Sequence, residues 1–127
     1  MGATWYPDMQ DVLALHQRQL ERFGGAPGIR DAGLIEAALA RPQSGYYKDL
    51  VEEAAALWES LTMNHGFIDG NKRVGLAATY VFLRINGLEL KASSKATLSF
   101  VIGSLEAKTF EKNRLDAWLR RHTRHIA

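Results

Sequence analysis

The feature that most constrains this chain is the stretch from Lys72 to Asn86. Val74, Leu76, Ala77, Ala78, Tyr80, Val81, Phe82, Leu83 and Ile85 cover nearly every face of a helix there. A helix that is apolar all round has to be buried by its neighbours, so the rest of the chain must wrap it. The spacing predicts a compact all-α bundle built around this central helix at about 72–86. Asn86-Gly87 is its expected stop.

The flanking sequence supplies the wrapping. Asp8 is placed to cap a first helix, with Met9, Val12, Leu13, Leu20 and Phe23 on one face and Gly24-Gly25 ending it. A loop with Pro27 and Gly28 leads to Asp31, which can cap a short helix ending before Pro42. A third helix is expected from about Asp49 to Asn64, with Leu50, Ala54, Leu57 and Leu61 buried. After a briefly extended Leu88–Leu90, a helix starts at Ser93 or Ser94 and a last one at Thr109. A basic tail closes the chain. At 127 residues and without repeats, residues 1–127 read as a single domain.

Composition narrows the setting. The chain has no cysteine, which excludes disulfides and thiolate metal sites and agrees with a cytoplasmic location. No apolar run reaches the about 20 residues that a membrane span needs, and no secretory signal pattern opens the chain. The net charge is only +2, but it is unevenly placed. Residues 1–64 carry five Lys/Arg and nine Asp/Glu, whereas residues 65–127 carry eleven and five. A basic half fits an anionic ligand, and it equally fits an uneven scatter of solvated charge.

The informative segment precedes the apolar helix: His65-Gly66-Phe67-Ile68-Asp69-Gly70-Asn71-Lys72-Arg73. Packing alone does not call for so polar a run beside so apolar a helix. A helix N-terminus offers unpaired N–H groups and the positive end of the macrodipole, which together attract an anion. Gly70 lets a phosphate approach the backbone, and Lys72 and Arg73 add cations that the dipole disfavours unless an anion is bound. Asp69 could hold Mg²⁺ or simply cap the helix. His65 could take a proton from an incoming hydroxyl, or be a structural histidine. Phe67 and Ile68 read as anchors of the loop in the core. The spacing of Gly66, Gly70 and Lys72 is not that of a Walker A loop.

The block HGFIDGNKR resembles the signature of the Fic/Doc (Fido) superfamily, His-x-Phe-x-Asp/Glu-Gly/Ala-Asn-Gly/Lys-Arg. It is most similar to the Doc branch, the death-on-curing toxins of bacterial toxin–antitoxin pairs. Arg22 to Asp31, Gly33-Leu34 and Ala40 to Gln43 extend the resemblance, which covers about residues 8–120. It implies an all-α core and a nucleotide triphosphate bound with Mg²⁺. It also implies His65 as general base, Phe67 as loop anchor and Asp69 as the Mg²⁺ ligand. Gly70 and Asn71 would then belong to a phosphate nest, with Lys72 and Arg73 on phosphates.

Within the superfamily, the AMP-transferring Fic pattern has Gly where this chain has Lys72 and Arg where it has Leu76. Doc proteins have Lys at the first position. The resemblance therefore implies transfer of the γ-phosphate of ATP to a protein hydroxyl, on elongation factor Tu, rather than AMP transfer. It implies a separate Phd-like antitoxin as partner, because the inhibitory pattern Ser/Thr-x-x-x-Glu-Gly/Asn is not found in this sequence. The segment that would clamp the target, Ser44 to Lys48, is short. An AMP-transferase and a catalytically idle binding protein are the competing readings. Direct nucleic-acid binding is not expected, since no recognisable nucleic-acid motif accompanies the basic half.

Overall fold

The computed structural model describes residues 3–126. Among them the chain forms α1 (Met9–Phe23), α2 (Ala32–Ala40), a 3-10 turn (Arg41–Gln43) and α3 (Leu50–Met63). It continues with α4 (Asn71–Ile85), β1 (Leu88–Leu90), α5 (Ser94–Glu106), α6 (Lys112–His122) and β2 (Thr123–His125).

Most helix starts follow from side-chain caps. Asp8 forms a reciprocal capping box with Asp11, and Asp31, Asp49 and Ser93 accept the N–H groups of Leu34, Glu52 and Ala96. The last helix differs from expectation. It begins after Glu111, without a side-chain cap, and the Thr109 hydroxyl donates to the Ser104 carbonyl at 3.4 Å instead.

The centre of the bundle is shared by two helices. On α3, residues Ala54 to Trp58 are completely buried, and the small side chains of Ala54, Ala55 and Ala56 let neighbouring helices approach. Trp58 packs edge-on to Phe110 at 5.6 Å and against Trp118 at 5.8 Å, which ties α3 to α6. On α4, Val74, Ala78, Phe82 and Leu83 are buried, and Gly75 lies so close to Thr62 of α3 that a Cβ would overlap the hydroxyl. The α4 helix is central but not enclosed: Tyr80 and Ile85 reach solvent. Isolated apolar side chains at a surface are ordinary, so apolar residues on every face overstated how far α4 is covered. The most enclosed helix is α3.

The chain is mostly helical, with one addition to the all-α expectation. The basic tail pairs with β1 as an antiparallel two-stranded sheet, Leu88 opposite His125 and Leu90 opposite Thr123. Two of its three arginines are engaged: Arg124 bonds Glu89 at 2.6 Å, and Arg120 bridges Asp49 and Asp116. Among the described residues no helix is long and apolar enough to cross a membrane.

Candidate active site

The segment from His65 to Gly70 runs from the end of α3 to the start of α4, and the α1–α2 connection straps it down. The main-chain N–H groups of Arg30 and Asp31 donate to the Gly66 carbonyl at 2.8 and 2.9 Å, and Ile68 donates to Gly28 at 3.1 Å. Gly66 is required there, since a Cβ would overlap Ile35. Phe67 is buried and stacks on His16 of α1, ring centroids 3.8 Å apart. The anchor expected of Phe67 is thus present, whereas Ile68 is exposed and lines a cleft instead.

Asn71 closes the segment on itself. Its side chain accepts from the Phe67 N–H and donates to the Phe67 carbonyl, both at 3.0 Å. The side chain is therefore committed to loop geometry. What Asn71 can offer an anion is its main-chain N–H.

Asp69 is exposed, and its two oxygens accept the N–H groups of Gly70 at 2.8 Å and Ala26 at 3.1 Å. These backbone bonds, the one from Ala26 foremost, hold its carboxyl below the ordinary carboxylate value of 3.8, with Arg73 adding attraction. It does not cap α4, whose first turn has no side-chain cap. The cap position belongs to Gly70, left-handed at φ +80°, which leaves the first-turn N–H groups facing outward. Lys72 and Arg73 are exposed beside them, and neither forms an ion pair among the described residues. The Arg73 guanidinium lies 4.7 Å over the ring of Phe23.

These groups meet in one cleft of about 780 Å³. His65, Asp69, Gly70, Asn71, Lys72 and Arg73 line one side, and Leu98, Val101, Ile102 and Leu105 of α5 the other. Among the described residues no three His, Cys, Asp or Glu side chains gather as a metal cluster. A single charged carboxylate beside an uncapped helix N-terminus and two cations fits Mg²⁺, which takes one or two carboxylates and fills its remaining positions with water and phosphate oxygens.

Three contributors lie outside the segment. The His16 Nε2–H donates to the Asp69 carbonyl at 2.7 Å, Gly25 leaves room that a Cβ would lack beside Asp69, and Arg30 donates to the His65 carbonyl at 2.6 Å. One signal was visible: His16 follows Val12 by four residues and precedes Leu20 by four, a polar residue within an apolar stripe. Nothing local marks Gly25 or Arg30, because their partners are about 40 residues away.

Comparison with known proteins places this geometry. The sequence model of the Fic/DOC family matches residues 6–83, from before α1 to near the end of α4. The chain is 46% identical over 94 residues to Toxin Doc of Mycolicibacterium smegmatis, covering 70% of each chain. It is 36% identical over 85 residues to Protein kinase doc of Escherichia phage P1, covering 64% of this chain and 68% of that one. With the signature segment, the strapped loop and the polar helix start all inside the matched region, the chain belongs to the Fic/Doc family.

Proposed function

We propose that this chain is a Doc-like kinase toxin that transfers the γ-phosphate of ATP to a hydroxyl of a protein, with elongation factor Tu as the target, and so stops translation. The observation that carries the reading is the convergence in one cleft of a histidine, a charged carboxylate, an uncapped helix N-terminus and two cations that form no ion pair among the described residues. Phosphoryl transfer asks a protein chiefly for positioning and charge stabilisation, which this set supplies.

In this reading the substrate hydroxyl oxygen bonds to the γ-phosphorus as the bond to the β-phosphate oxygen breaks, and ADP leaves. His65 accepts the hydroxyl proton. The α4 N–H groups, from Gly70 onward, receive phosphate oxygens, and Lys72 and Arg73 balance their charge. Asp69 is the residue that would hold Mg²⁺, which when bound neutralises phosphate charge. Lys72 and Leu76 both line the cleft, at the positions where AMP-transferring relatives have Gly and Arg, and this favours transfer of phosphate over transfer of AMP. Two similar proteins, one named a toxin and one a protein kinase, support the same reading. A toxin of this kind implies a separate antitoxin, Phd-like by family, as partner.

The test is label transfer. The protein is incubated with Mg²⁺, elongation factor Tu and ATP labelled at the α or the γ phosphate, with His65→Ala as control. Label from γ only, lost in the variant, is expected. Label from α would replace the reading by AMP transfer. Absence of transfer with toxicity that persists in His65→Ala would leave a binding protein. Absence of transfer with His65-dependent toxicity would mean a different target.

A further inference from the structure

His65 carries a backbone burden that the cleft itself does not explain. Its φ is +53°, and Lys108 is the other non-glycine residue in that region among the described ones. A side chain there crowds the backbone, and such a conformation persists only where the surroundings over-determine it. The surroundings here are largely one residue. The Arg30 Nε–H donates to the His65 carbonyl at 2.6 Å and its Nη2–H to the Asn64 carbonyl at 3.1 Å. Its own main-chain N–H donates to the Gly66 carbonyl at 2.8 Å. Arg30 therefore grips three consecutive carbonyls, centred on His65.

The chemistry of the grip is specific. Asn64 is the C-terminal cap of α3, so these carbonyls lie at the negative end of that helix and suit a cation. The planar guanidinium spans two of them, which a single ammonium does not. Arg30 has no carboxylate partner among the described residues and does not line the cleft. Its guanidinium is free of competing ties, and any effect on chemistry has to pass through His65.

We propose that Arg30 is a positioning residue for His65: its guanidinium, forked across the Asn64 and His65 carbonyls, holds the His65 backbone left-handed and thereby keeps the imidazole in the cleft. The consequence for catalysis rests on His65 being the base. The consequence for geometry does not.

The experiment compares the full chain with Arg30→Ala and Arg30→Lys by two readouts. The three-bond HN–Hα coupling and the Cα shift of His65, by NMR, report its φ. Transfer from γ-labelled ATP to elongation factor Tu reports kcat and the KM for ATP. In Arg30→Ala the left-handed signature at His65 is expected to vanish and kcat to fall roughly ten- to hundredfold, the scale on which small misplacements act. The KM for ATP should stay within about twofold, because the phosphate-binding groups are untouched. Arg30→Lys should recover part of kcat, and it supplies the same readouts should the alanine variant fail to fold. An unchanged His65 signature in Arg30→Ala overturns the proposal. So does a parallel loss of kcat, ATP binding and thermal stability, which would make Arg30 only a cap of α3. If the unaltered chain transfers no label to elongation factor Tu, the His65-dependence of toxicity decides between another target and the loss of the kinase reading, and the NMR result alone decides the role of Arg30.

Discussion

From His65 to Phe67 the main chain is tied on almost every side: Arg30 holds the His65 carbonyl, the Gly66 carbonyl takes two N–H groups, and Asn71 holds both polar groups of Phe67. From Gly70 to Arg73, only a few residues on, the helix start has no side-chain cap and its cations have no ionic partners among the described residues. The first half behaves like core and the second like a socket. A proton acceptor must be held still, since misplacement costs rate, whereas a phosphate site must keep donors and positive charge uncommitted. On the proposed function the same short segment serves both needs: the α1–α2 loop and His16 hold the backbone of its first half, while His65 and the second half open on the cleft.

Substitutions in the two halves should therefore separate stability from activity. The largest effect on stability is expected at Phe67→Ala. Losing the buried ring and its stack on His16 should cost about 3–5 kcal/mol, measured as a shift in the urea midpoint. A loss below about 1 kcal/mol would mean that the tied half is not core-like. Arg73→Ala should do the reverse. Removing a charge-assisted contact worth about 1.5–3 kcal/mol should raise the KM for ATP roughly ten- to hundredfold, with an unchanged melting temperature. Lys72→Ala sharpens the contrast, because it removes a cation from the positive end of α4. The free protein should gain about 0.3–1 kcal/mol in stability while transfer weakens.

Two smaller effects test the supports. Asp49 caps α3 and is bonded by Arg120, and that hydrogen bond holds its carboxyl below 3.8. A carboxyl held lower in the folded state stabilises the fold above its ordinary value, and the contribution disappears as pH falls through the depressed one. Asp49→Ala should thus cost about 1 kcal/mol at neutral pH and progressively less as pH falls below the ordinary carboxylate value, followed by thermal melts across the acid range. A comparably small effect is expected at Phe23→Ala. The ring is exposed and lies under Arg73, so its loss should raise the KM for ATP by a few-fold, matching the about 0.5–1 kcal/mol of an exposed cation–π contact. Phe23→Tyr should restore it, and equal KM values for all three would show that Arg73 orients itself without the ring.

Much of this was legible in the sequence because it is local. Asp8, Asp31, Asp49 and Ser93 cap helices within reach of their own backbone, so their roles follow from spacing. The polar run before α4 announced itself by contrast with the apolar helix behind it. The clearest miss had a distant partner: the basic tail became β2 because β1, some 35 residues before it, offered it a free edge. The place expected for Asn71 in a phosphate nest asks for its main-chain N–H, and its side chain is used to close the loop on Phe67.

What the sequence by itself determined is the helical bundle, the places where most of its helices begin, and the chemical inventory of the segment 65–73. These rest on forces that act within a turn or two of chain: periodicity, capping and glycine's tolerance of the left-handed region. Only the tertiary structure decided which of those residues are free to act. His16, Gly25 and Arg30 reach the segment from some 35 to 53 positions away, committing Phe67 and the His65 backbone to structure while leaving the first turn of α4 open. A hydrogen bond or a close contact is set by distance in space, and no spacing along the chain records which distant residue will close it.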